Sequence, residues 1–123
     1  MIEGRVTSDL APALKLTLVG VGPREVDIDA DVDTCFTGDI SLPIERILNL
    51  GWPFWDEDFV TLGDGRDIKM KFYRGIVMWR GQPKIVKVLA SESTPLLGRR
   101  LVEGNEVNIQ FKRGGSVSIS PLS

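Results

Sequence analysis

Residues 24–33 read "REVDIDADVD", in which Val26, Ile28, Ala30 and Val32 alternate without a slip with Asp27, Asp29, Asp31 and Asp33. Successive side chains of an extended strand point to opposite faces, so this row predicts one buried face and one face of carboxylates. A helix would scatter the same acids around its circumference.

The period of two returns along the whole chain. Residues 13–21 place Leu14, Leu16 and Leu18 on one face, with Lys15 and Thr17 on the other. The segments "FVTLGDGRDIKMKF", "RGIVMWRGQPKIVKVLA" and "NEVNIQFKRGGSVSISPL" alternate on both sides of glycine-rich turns. The turns are expected at Gly63-Asp64-Gly65, at Gly81-Gln82-Pro83 and at Gly114-Gly115, the last hairpin facing Val107, Ile109 and Phe111 against Val117 and Ile119. The opening "IEGR" runs unbroken into "GRVTS" and is read as part of the first strand. Helical spacing is confined to "LPIERILNLG", with Pro43 at the start and Gly51 as the stop, and to one short turn at "RRLVEG". The expectation is a single all-β domain over residues 1–123, with one or two short helices.

Composition narrows the chemistry. There is no histidine, which removes Ser-His-Asp and Cys-His nucleophile pairs and imidazole metal sites. Acid–base work falls to carboxylates, lysine, tyrosine or the thiol of Cys35, which is alone and has no internal disulfide partner. With 15 Lys and Arg against 17 Asp and Glu, the chain lacks a basic footprint for nucleic acid or an anionic membrane. No apolar run approaches the length of a spanning helix, so a cytoplasmic protein is expected.

The loop "VDTCFTGDISLP" carries the strongest functional signal. Asp33 ends an apolar strand and is followed by Thr34, Cys35 and a small-residue loop. "LLG", which is Leu96, Leu97 and Gly98, comes much later. By itself a strand-end aspartate most often caps a turn by accepting backbone N–H bonds. The arrangement resembles the retroviral-type (clan AA) aspartic proteases. It is closest to the small bacterial single-domain members, which read Val-Asp-Thr-Gly-Phe-Thr-Gly-x-Leu-x-Leu-Pro here. The order of the later elements extends the likeness over nearly the whole chain.

The resemblance implies a retroviral-type acid-protease barrel in which Asp33 is catalytic. One Asp-Thr loop per chain is half of a site that needs two facing carboxylates sharing a proton, so a homodimer acting on a peptide or protein is implied, with no metal or organic cofactor. Thr34 would bond across the two-fold axis, Leu96, Leu97 and Gly98 would pack behind the loop, and Gly63, Asp64 and Gly65 would close over the peptide. Their plain readings are an ordinary core turn for Leu96–Gly98 and a tight hairpin turn for the glycines.

Cys35 stands where the family has glycine. Glycine is usual where backbone angles are costly to other residues or where a neighbour leaves no room for a Cβ. The loop either tolerates the thiol and stays catalytic, or loses its water site and leaves a protease-shaped peptide binder, or pairs Cys35 with its symmetry mate. Cys35 also reads as a small, partly buried hydrophobe. "WPFW", residues 52–55, reads as core before groove, and Asp27, Asp29 and Asp31 as a solvated face. Asp39 is expected to shape the cleft or cap its loop.

Overall fold

The structure, a computed structural model, describes residues 1–61 and 64–122. The alternating segments become strands in the expected register. β1 (Ile2–Val6), β2 (Pro12–Gly20) and β3 (Arg24–Val32) follow one another, and β2 and β3 pair antiparallel with Leu14 opposite Ala30, Leu16 opposite Ile28 and Leu18 opposite Val26. Leu14, Leu16 and Leu18 are fully buried, each worth about 1.5–3 kcal/mol relative to exposure. A one-residue slip would turn this whole row into water.

β4 (Ile40–Pro43) leads into α1 (Ile44–Leu50), whose Ile47 and Leu50 are buried. Gly51 ends the helix at φ 73°, a left-handed conformation that glycine adopts without a Cβ penalty. β5 (Phe54–Thr61), β6 (Asp67–Trp79) and β7 (Gln82–Ser91) form consecutive hairpins. β8 (Leu96–Leu97), α2 (Arg99–Val102), β9 (Asn105–Ile109) and β10 (Ser116–Pro121) complete the chain.

Six of these strands close a barrel in the order β2, β3, β8, β4, β7, β6, because β6 pairs β7 and also returns to β2 through Leu18 opposite Val77. Its core is built of apolar side chains: Ile40, Leu42, Val77, Val86, Val88 and Leu97 are buried, with α1 packed on the same core, and Ser41 of β4 is the one buried polar residue among those described. β1, β10 and β9 continue the sheet from β2, while β5 lies outside the barrel on the first half of β6. Among the described residues no helix is long and apolar enough to cross a membrane.

Two turns differ from expectation. β6 and β7 meet with Trp79 opposite Gln82, so the turn is Arg80-Gly81, at φ 53° and 78°, and Pro83 lies inside β7 opposite Met78. Two consecutive left-handed residues match the right-handed twist of the flanking strands, as two-residue hairpin turns require. In the last hairpin Val117 faces Ile109 and Ile119 faces Val107 as expected, but β9 ends at Ile109 and Phe111 is exposed. "WPFW" divides. Trp52 is buried, its Nε1 donating to the Val19 carbonyl at 2.8 Å, whereas Phe54 and Trp55 are exposed.

Candidate functional site

The loop from Asp33 to Asp39 bridges β3 and β4, two strands that do not pair with each other because β8 lies between them. β8 runs parallel to β3, with Val32 opposite Leu97, and antiparallel to β4, with Ile40 opposite Leu97. Both ends of the loop are therefore fixed to one short strand. The Asp33 amide donates to the Leu97 carbonyl at 2.9 Å, and the Gly98 amide donates to the Asp39 carbonyl at 2.9 Å. The first residues of α2 hold the middle, Arg99 N–H donating to Phe36 and Arg100 N–H to Gly38. Leu97 and Gly98 thus bond the two ends of the Asp33 loop, while Leu96 pairs with Asp31 and Ser41 on the flanking strands.

Gly98 is required by space. A Cβ there would overlap the Gly38 carbonyl oxygen and the Phe36 ring. Its φ of −100° is ordinary, so the need is for close backbone approach rather than for a special angle.

Asp33 is half-buried, and its Oδ1 accepts the Cys35 backbone N–H at 2.9 Å. This is a local turn of the kind strand-end aspartates commonly make. It orients the carboxylate and leaves Oδ2 without a hydrogen bond among the described residues. Thr34 and Cys35 are exposed. Cys35 is not at positive φ, so its side chain sits there without the strain of a left-handed backbone.

The carboxylate row on β3 is not uniform. Asp27 and Asp29 are exposed, and Asp27 accepts the Thr17 hydroxyl at 2.7 Å. Asp31 is half-buried, and burial first, then the neighbouring charge of Asp33, holds its carboxyl above the ordinary value. Among the described residues no three His, Cys, Asp or Glu side chains converge as they would on a metal ion.

A cleft of about 430 Å³ opens beside the loop, walled by Cys35 to Asp39 on one side and by Asp58 to Thr61 of β5 on the other, with Phe72, Lys87 and Arg100 between. Asp33 and Thr34 immediately precede this wall in the chain, and neither they nor Leu96 to Gly98 line the cleft. Asp39 does line the cleft, its Oδ2 accepting the Lys87 backbone N–H at 3.0 Å. Asp64 and Gly65 stand exposed at the hairpin tip and are not part of the wall. Gly65 is at φ 86°, and Arg66 donates its amide and Nε to Asp64, hydrogen bonds that hold the Asp64 carboxyl below its ordinary value. Gly63, the third residue expected there, lies outside the described residues.

Phe36, Phe72, Lys87 and Arg100 were not singled out by the sequence. They come from four separate segments, and only the fold brings them together. The chain matches no family model and no curated protein.

Proposed function

We propose that the protein is an aspartic-type endopeptidase that works as a homodimer, with one Asp33 carboxylate from each protomer at the two-fold axis. The observation that carries this reading is the mounting of Asp33. Its loop is pinned at both ends against β8, one carboxylate oxygen is committed to its own turn and the other has no hydrogen bond among the described residues, and the residues that follow it, Cys35 to Asp39, line a cleft large enough for a peptide segment. The residues that resemble the acid-protease motif are the residues that build this mounting.

Two such carboxylates share one proton, because like charges in contact cannot both ionise. The ionised Asp33 takes a proton from a bound water as the water oxygen attacks the scissile carbonyl carbon. The protonated Asp33 of the second protomer donates to the carbonyl oxygen. The tetrahedral intermediate then collapses with proton transfer to the amide nitrogen, giving a free carboxyl and a free amine. Thr34, exposed at the loop's outer turn, is the side chain offered to the other protomer.

A second reading is favoured by Cys35, whose side chain is exposed on the cleft wall two residues from Asp33. In that reading the thiol occupies the water's place and the dimer binds peptides or a partner protein without cutting them. The deciding experiment is Asp33→Asn assayed on a denatured peptide mixture, with mass measured in solution. Cleavage is expected to fall by about 10²-fold or more while the dimer persists. Equal turnover by the variant, or a monomeric parent, overturns the peptidase.

A further inference from the structure

Lys87, on β7, is where three separate parts of the fold meet. Its backbone N–H donates to Oδ2 of Asp39, at the end of the Asp33 loop, at 3.0 Å. Its ammonium lies 3.2 Å from Oδ1 and 3.3 Å from Oδ2 of Asp56 on β5. It also stands 4.5 Å from the ring centroid of Phe72 on β6 and 5.9 Å from that of Trp55. β7 and β5 are not neighbours in the sheet, since β6 separates them, so this ion pair spans a strand. It joins the outlying β5–β6 hairpin directly to the barrel.

Asp56 is placed where such a tie matters. The β5–β6 ladder changes register between Phe54 and Asp56, and beyond that irregularity the hairpin continues to the cleft wall at residues 58–61. A register shift of this kind bends a strand locally.

Exposed ion pairs usually contribute little. This one differs in two respects. The Lys87 side chain is only 28% exposed and packs on aromatic faces, which favour a cation. The Asp56 side chain is 45% exposed, but its Oδ1 is buried and has no hydrogen bond among the described residues, so the ammonium at 3.2 Å is the partner that this oxygen has. Removing the ammonium leaves a buried carboxylate oxygen unpaired, and the hairpin can hydrate it by moving away from the barrel.

We propose that Lys87 is a positioning residue that sets the height of the β5–β6 hairpin over the Asp33–Asp39 loop. Cleft width and hairpin order are then coupled through one side chain. The mechanical claim stands on these contacts alone, and its consequence for catalysis rests on the peptidase reading above.

The test is amide hydrogen exchange on the full chain for Lys87→Met, Asp56→Asn, the double variant and Lys87→Arg. In each of the two loss variants, exchange at residues 57–61 and 67–71 is expected to rise by about three- to fivefold, the range an ion pair of this exposure supports. The double variant should rise no further, the β2–β3 amides should hold, and Lys87→Arg should stay within about twofold of the parent. Unchanged exchange, additive effects of the two substitutions, or an equal rise across the barrel would each overturn the proposal. With peptide cleavage as a second readout, Lys87→Met should raise KM with kcat nearly kept, and a rise in exchange with KM unmoved would sever the brace from substrate binding. A parent that cleaves nothing fails the peptidase reading, while exchange still decides the brace.

Discussion

The Asp33 amide donates to the carbonyl of Leu97 at 2.9 Å, and Val32 and Leu97 are register partners in parallel strands. The acidic loop is therefore an extension of the barrel wall rather than a free connection. Its precision depends on how closely the next residue, Gly98, lies against Gly38.

Gly98→Ala tests that closeness. The new methyl would overlap a backbone carbonyl, which cannot rotate away as a side-chain end can. Stability is expected to fall by about 1–3 kcal/mol, the usual cost of overpacking, measured by urea denaturation. An unchanged midpoint would mean that the loop gives way freely and is not held in position by β8.

Cys35→Gly is expected to lower stability rather than raise it. Because Cys35 is not at positive φ, glycine relieves no strain there and only enlarges the unfolded ensemble. The variant is expected to lose about 0.4–1 kcal/mol. Under the peptidase reading its cleavage rate stays within about tenfold of the parent, a small barrier change. A much larger gain in cleavage would assign the natural chain to the binding reading.

Asp31 predicts a pH dependence. Burial and the Asp33 charge raise its folded pKa above the ordinary 3.8, so the native state holds more protons than the unfolded state just above that value. Its contribution to stability is fully present below 3.8 and is lost as pH rises through the raised folded value. Asp31→Asn removes this loss, so the variant should gain on the parent from about pH 4 toward neutral, followed by denaturation at a series of pH values. A difference between variant and parent that does not vary with pH would refute the assignment.

What was legible in the sequence is what period two encodes. The Leu14, Leu16, Leu18 face, the Val26 to Val32 face and the site of Asp33 at a strand end all follow from alternation, and the structure closes them into a barrel. Alternation is silent on where a strand stops. Pro83 read as a turn residue because proline cannot donate, yet it is accommodated inside β7, and Arg80 took the left-handed position instead. Phe111 continued the apolar alternation but fell past the end of β9. The contacts among Lys87, Asp39 and Asp56 had no local signal at all. Each joins segments far apart in the chain, and a half-buried lysine between Val86 and Val88 looks like any polar-face residue until its partners are placed.

The way β8 threads between β3 and β4 also governs timing. During synthesis the Asp-Thr segment is made early, but the strand that supplies its hydrogen-bond partners is made late, and closing so long a loop is entropically costly until that strand arrives. The Asp33 amide therefore gains its hydrogen-bond partner only when Leu97 docks.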